Sequence, residues 1–262
     1  MSEPREEAPG DPAVDIGFSL ADKVAVVTGG GSGIGAAIAD SFVAKGARVA
    51  IIDLSTTAAD EVATRLGRQA AAFTCDVASQ ADVDATVQAV LGHFGRIDIL
   101  VNSAGVALLA PAEELELSSW DTTMNINVRG TFLMCQAVGK TMLTQRSGRI
   151  INMASQAASV ALERHVAYCA SKFAVVGLTK VLATEWGGRG VTVNTISPTV
   201  VLTKLGREAW AGPKGDALKA EIPAGRFVYP GEVAATAVFL ASDAAAMVNG
   251  ADLLIDGGYT IR

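Results

Sequence analysis

Charge is scarce in this chain: 18% of its 262 residues are Asp, Glu, Lys or Arg, against 50% hydrophobic. That balance excludes a disordered polymer and fits a sheet covered by helices on both faces. A basic excess is also missing, since the formal net charge is −6, so no electrostatic footprint for nucleic acid or an anionic membrane is expected. The three cysteines, Cys75, Cys135 and Cys169, are odd in number and include no CxxC pair, which argues against a disulfide framework and against a zinc site; no metal is expected. The start, 1–15, is acidic and lacks the basic and apolar regions of a secretory signal, and reads as a flexible solvated tail. Long hydrophobic runs are wanting too. The least polar stretch, Val24 to Ala39, is broken by five glycines, so no membrane segment is expected and a cytoplasmic location follows.

What is present alternates. Short β-rich runs at Val24–Val27, Val49–Asp53, Ala72–Thr74, Ile97–Val101, Arg149–Met153, Val191–Ile196 and Leu253–Ile255 are separated by helical patterns such as Ala36–Lys45 and Ala81–Phe94. This spacing predicts an α/β fold: one Rossmann-type, doubly wound sheet of seven parallel strands over 16–262. Residues 200–227 break the alternation with Trp210, Gly212, Pro213, Gly215 and Pro223, and are expected to form a substrate-binding lid with one or two short helices.

The first predicted strand runs into Thr28-Gly29-Gly30-Gly31-Ser32-Gly33-Ile34-Gly35 and then a helix. Glycines there serve either a plain tight turn or the close approach of a pyrophosphate to free helix-start amides. Eighteen residues beyond Gly35, the second strand ends at Asp53, placed either as a strand-end turn residue or to accept from an adenosine ribose. A carboxylate there favours NAD, because a 2′-phosphate would meet a like charge and neither Ser32 nor Leu54 supplies a cation. The third strand ends before Asp76, a loop acid or an acceptor for the adenine amino group, followed by Val77.

After the fourth strand comes Asn102-Ser103-Ala104-Gly105, and after the fifth Ser155, with Tyr168 thirteen and Lys172 seventeen residues further on. On a helix, residues four apart share a face, so the Lys172 ammonium is expected beside the Tyr168 phenol, lowering its pKa towards a useful proton acceptor. A Tyr-x-x-x-Lys pair is more often an aromatic beside a solvated lysine. Here small neighbours (Ala167, Cys169, Ala170, Ser171) permit close packing, and Ser155 is placed to cap the next segment or to polarise a substrate oxygen.

Taken together these motifs resemble the short-chain dehydrogenase/reductase family from about Asp22 to Tyr259. Residues 28–35 are similar to its TGxxxGxG loop, and Asn102–Gly105 to its NNAG element, with Ser103 in second place. Asn127 in Asn127-Val128-Arg129-Gly130 matches its helix asparagine, and Asn194–Pro198, Val201 and Thr203 its nicotinamide-side strand and loop. The resemblance implies that Tyr168 is the general base in oxidation, Lys172 its partner on the nicotinamide ribose, Ser155 a contact to the reacting oxygen, and Asn127 the holder of a relay water. It also implies dinucleotide contacts at Gly29, Ser32, Gly33, Ile34, Gly35, Asp53, Leu54, Asp76, Val77, Asn102, Ala104, Tyr168, Lys172, Val201 and Thr203, and a homotetramer. Thr199, where the family usually has glycine after the proline, departs from the pattern.

Glu163, His165 and Trp210 are expected near the substrate with Ser155 and Tyr168, although the first two read equally as surface residues. The run Pro198–Gly206 and the ending Asp256-Gly257-Gly258-Tyr259-Thr260 resemble the polyol dehydrogenase branch, which implies NAD-dependent oxidation of a small polyol of the D-threitol kind to a D-erythrulose-like ketone. Two alternatives stand beside it: a 3-oxoacyl-carrier-protein reductase, against which Asp53 argues, and a nucleotide-binding protein without turnover, against which the Asn127, Ser155, Tyr168 and Lys172 set argues.

Overall fold

A computed structural model describes residues 14–261, so the tail expected at 1–15 falls outside it apart from Val14 and Asp15. Seven strands form one parallel sheet in the order β3-β2-β1-β4-β5-β6-β7. They are β1 (Val24–Thr28), β2 (Arg48–Asp53), β3 (Ala70–Thr74), β4 (Ile99–Asn102), β5 (Gly148–Met153), β6 (Val191–Pro198) and β7 (Asp252–Ile255). Every pairing is parallel, for example Val26 with Ala50 and with Leu100.

Because alternate residues of a strand face opposite sides, each central strand must be apolar at every position. β1 obeys this with VAVVT, fully buried. Val27, Ile51 and Ile151 join Ile38 and Phe42 of α1 (Gly33–Ala44) and Val233 and Val238 of α9 (Pro230–Ala241) on one face, with α2 (Thr56–Leu66) beside them. On the other, Val26, Ile52, Leu100 and Ile150 meet Val87 of α3 (Gln80–Phe94), Met134 of α5 (Thr131–Gln145) and Leu182 of α6 (Val166–Gly187).

The helices begin and end where local chemistry dictates. Ser79 accepts from the Asp82 amide to open α3, and Gly95, left-handed at φ 81°, closes it. β4 starts later than the apolar run suggested. Asp98, buried by its bond to the Val24 amide (2.9 Å) and its pairing with Arg96 (2.6 Å), fixes the approach to the strand instead. Between α4 (Leu117–Met124) and α5 the chain adopts a π-helical turn, Asn125–Gly130, a distortion that tends to mark functional positions. Residues 200–227 carry two short helices, α7 (Lys204–Ala209) and α8 (Pro213–Glu221).

The helix expected to carry Tyr168 and Lys172 is long and apolar. α6 has 22 residues and a mean hydropathy of 1.4, enough by length and composition to cross a membrane. Its packing says otherwise: Val175, Thr179 and Leu182 are buried, and it covers the face of β6 as a core helix.

Candidate active site

Strand order reverses between β1 and β4, so a crevice opens at their C-terminal ends, the position where open α/β sheets bind ligands. Thr28 ties its two sides together, its hydroxyl accepting from the Ser103 and Ala104 amides (both 3.1 Å). The glycine loop must pass close to itself there: a Cβ on Gly35 would lie 2.2 Å from the Gly29 carbonyl oxygen, and Gly33 sits at φ +55°. At the start of α1 no side chain caps the amides and the first turn carries no acid, leaving donors and the positive end of the helix dipole for an anion.

Asp53 reaches this loop. Its carboxylate accepts from the Gly31 amide (3.0 Å) and the Ser55 amide (3.0 Å), which fixes it beside the glycines while it remains partly exposed. Leu54 next to it is exposed. Asp76 accepts from the Ala78 amide (2.9 Å), and Val77 is buried against Gly130, where a Cβ would meet it at 2.8 Å. Val201 is buried and bridges to Val228; Thr203 caps α7 and stands beside Gly33, 3.4 Å from where its Cβ would be. Asn102 is buried in a network, donating to Asn152 (2.8 Å), which donates in turn to Thr179 (2.9 Å). The residues that would line a dinucleotide thus follow one edge of the crevice, and the uncapped helix start with the adjoining Asp53 carboxylate fits such a group.

Further along, α6 brings Tyr168 and Lys172 to one face, the Nζ lying 5.5 Å from the ring centroid. Ser155, buried just past β5, draws the phenol's pKa down, and its Oγ accepts from the Ala157 amide (3.2 Å). In the unliganded protein Lys172 does not bring the phenol's pKa below its ordinary value, as the sequence suggested it would. Its Nζ donates to the Met153 carbonyl (2.8 Å), and burial of both groups dominates: the lysine is pushed down to about 8, while the phenol is held above its ordinary value with Ser155 pulling partly back. Asn127 clamps the backbone of Val106, accepting from its N–H and donating to its carbonyl (both 2.9 Å), and donates to Ser171 (3.0 Å). Gly105 closes the group, since a Cβ there would stand 3.2 Å from Asn127 Oδ1 and 3.7 Å from Lys172 Nζ. Ser171, whose hydroxyl donates to the Tyr168 carbonyl (2.7 Å), was missed from sequence. A small residue inside a Tyr-x-x-x-Lys stretch carries no signal that separates packing from bonding.

The three expected substrate contacts divide. His165 sets its ring edge-on to Tyr168, centroids 6.1 Å apart, with Nδ1 held by the Glu163 carbonyl. Glu163 itself is exposed. Trp210 packs edge-on against Phe227 (6.1 Å) and under Lys214 (4.4 Å), within the 200–227 segment. A cavity of about 370 Å³ lies elsewhere, lined by Arg226, Glu232, Leu254 and Asp256. Its polar groups are already engaged, Arg226 with Glu232 (2.6 Å) and Asp256 with Gly258 and Thr260, so it offers a ligand little. Among the described residues no three His, Cys, Asp or Glu side chains gather to hold a metal.

A short-chain alcohol dehydrogenase profile described as enoyl-(acyl carrier protein) reductase matches residues 29–260. The chain belongs to the short-chain dehydrogenase/reductase family. Within it, the chain is 67% identical over 253 residues to the D-threitol dehydrogenase of Mycolicibacterium smegmatis, covering 95% of this chain and 97% of that one. It is 50% identical over 248 residues to the NAD-dependent glycerol dehydrogenase of Listeria innocua, covering 95% and 98%. These relatives set this short-chain dehydrogenase in the polyol dehydrogenase branch. Among solved structures, a putative NAD(P)-dependent gluconate 5-dehydrogenase from Beutenbergia cavernae with bound NADP superposes with a TM-score of 0.87 at 40% identity, over 94% of this chain and 99% of that one. A nicotinamide dinucleotide is therefore the family's cofactor class here, consistent with the glycine loop and Asp53.

Proposed function

We propose that this protein oxidises a secondary alcohol of a small polyol, D-threitol or a near analogue, to the corresponding ketone, D-erythrulose or its like, with NAD as acceptor. The observation that carries this reading is the Ser155–Tyr168–Lys172 group, with Ser155 and Lys172 buried and Tyr168 partly exposed, just past β5 and on α6 at the same end of the sheet as the glycine loop and Asp53. The dinucleotide, when bound, supplies the hydride acceptor. Ser155 orients the reacting oxygen, and Tyr168 as phenolate takes the hydroxyl proton while the carbinol hydrogen leaves as hydride. Lys172 binds the nicotinamide ribose, and Asn127 holds the water through which the lysine exchanges protons with solvent. Gly29, Ser32–Gly35, Asp53, Leu54, Asp76, Val77, Asn102, Ala104, Val201 and Thr203 hold the dinucleotide. The Asp53 carboxylate favours NAD over NADP, in keeping with the relative whose name carries NAD dependence.

D-threitol is the preferred candidate because of the 67% identical relative. We assign Glu163, His165 and Trp210 to the substrate mouth, under a lid formed by 200–227. Residues 16–262 act as one domain. The protein works in the cytoplasm, where its three free cysteines stay reduced, and it assembles as a homotetramer through the exposed sides of α5 and α6 and the edge strand β7.

A panel of polyols, assayed with NAD and with NADP by absorbance of the reduced cofactor, tests the reading. Threitol with NAD gives the highest rate, and Tyr168→Phe lowers kcat/KM by about 10²- to 10⁴-fold while leaving dinucleotide binding intact. Turnover of a hydroxyacyl thioester with threitol and its neighbours inert, or a marked NADP preference, overturns it.

A further inference from the structure

Residues other than glycine seldom hold a positive φ, and where one does its surroundings fix it there. Four do so among the described residues: Phe18, Asp22, Arg146 and Arg164. Three have a plain local reason. Phe18 and Asp22 lie in the turns that precede β1, and Arg146 closes α5. Arg164, at φ +67°, stands instead four residues before Tyr168, at the approach to α6.

Its turn is closed by the His165 amide, which donates to the Leu162 carbonyl (3.2 Å), so Glu163 and Arg164 are the two central residues. A positive φ at the second of these belongs to the turn form that favours glycine or asparagine there, and arginine is neither. In that form the peptide joining 163 to 164 is flipped relative to the commoner one. The Glu163 carbonyl, which belongs to this peptide, meets His165 Nδ1. A carbonyl only accepts, so Nδ1 carries the hydrogen and the neutral ring keeps Nε2 as its acceptor. The imidazole is thereby held edge-on to Tyr168, ring centroids 6.1 Å apart. On the other side of the turn, the Arg164 carbonyl accepts from the Ala110 amide (3.2 Å). The segment after β4 is thus tied down twice, at Val106 by Asn127 and at Ala110 by this turn. None of these contacts uses the Arg164 side chain, and the residue is exposed.

We infer that Arg164 is a positioning residue for substrate binding and acts through its left-handed backbone, which presents the Glu163 carbonyl to His165 and latches the segment after β4 to the approach of α6. This rests on the polyol reading above, with His165 at the substrate mouth. A side chain that resists positive φ returns the turn to its commoner form and swings the Glu163 carbonyl away. The imidazole is then free to rotate, and the hold on the polyol weakens. Ser155, Tyr168 and Lys172 stay where they are, because α6 itself is untouched.

The test measures KM and kcat for threitol with NAD in the wild-type enzyme and in Arg164→Gly, Arg164→Asn and Arg164→Val. Glycine and asparagine accept the left-handed turn, whereas valine, branched at Cβ, resists it. The valine variant should show a KM about 3- to 10-fold above that of the glycine variant, with kcat nearly unchanged. Arg164→Asn should follow Arg164→Gly. In a His165→Ala background the difference between valine and glycine should largely vanish. Equal KM values for the folded valine and glycine variants overturn the inference. So does a valine variant that loses melting temperature, kcat and substrate affinity alike whether or not His165 is present, which is the pattern of a merely structural turn. If Arg164→Val does not fold, Arg164→Ala is read by the same ratio to glycine. A wild-type enzyme inert on every polyol refutes the substrate reading and this inference with it, and is seen in the wild-type rates alone.

Discussion

Tyr168 and Lys172 lie one turn apart on α6, and burial drives their pKa values in opposite directions, the phenol up and the ammonium down to about 8. Both effects make the charged pair harder to form in the unliganded protein. For the lysine the sign is definite. Its folded pKa is below its unfolded value of about 10.4, so between pH 8 and 10 the unfolded chain binds more protons and stability gained from Lys172 rises with pH, by about 1 kcal/mol per unit. Urea unfolding of the unliganded protein and of Lys172→Met at pH 7.5 and 9.5 should give stabilities that converge as pH rises, Lys172→Met being the more stable at the lower value. Equal spacing at both pH values would mean that the amine is not desolvated. The spacing of Ser155, Tyr168 and Lys172 made the site legible from sequence, because one strand end and one helix face are enough to gather them. The direction of the phenol's shift was not legible, since it depends on how deeply the pair is buried and on the Met153 carbonyl claiming the amine.

At the level of elements, the strand–loop–helix unit β1–α1 is the least tolerant of change. The carbonyl of Gly29 occupies the space a side chain on Gly35 would need, so Gly35→Ala is expected to destabilise the protein by about 1–3 kcal/mol and to abolish dinucleotide binding, measured by urea unfolding and by quenching of protein fluorescence. Gly92, exposed within α3 with nothing within 4 Å of a Cβ, is the contrast: Gly92→Ala should stabilise by up to about 1 kcal/mol, because alanine favours the helix. The periodicity that places α3 from Ser79 to Gly95, and the strands of the sheet, was readable because caps and apolar runs are local signals. Three features were not local. Asp98 delays β4 through a bond to Val24, 74 positions earlier, the π-turn at 125–130 leaves no mark in the residue pattern, and the hydropathy of α6 reflects a helix with one face packed on the sheet, which composition alone could not distinguish from a span.

On the scale of the whole molecule, the two faces of the sheet are covered but two other surfaces are apolar and open. Phe132 of α5 and Phe173 and Val181 of α6 keep 39%, 52% and 55% of their surface exposed on the helices that flank the active site. β7 ends the sheet as an edge strand, with Leu254 on it and Met247 before it also exposed. An unpaired strand edge and aromatic side chains on neighbouring helices are the kinds of surface that association buries. The proposed homotetramer requires two such patches, each pairing with its own copy about a two-fold axis. Light scattering of the full chain should therefore give a mass near four times 26.8 kDa at micromolar concentration. Phe173→Glu, which sets a charge into the helical patch, should halve that mass with unchanged circular dichroism, because β7 pairing is left intact. A monomer for the wild-type chain at that concentration would refute the tetramer. A variant that remains tetrameric would move the contact away from α5 and α6, while loss of activity on halving the assembly would tie the geometry of α6, and with it Tyr168 and Lys172, to the partner subunit's support.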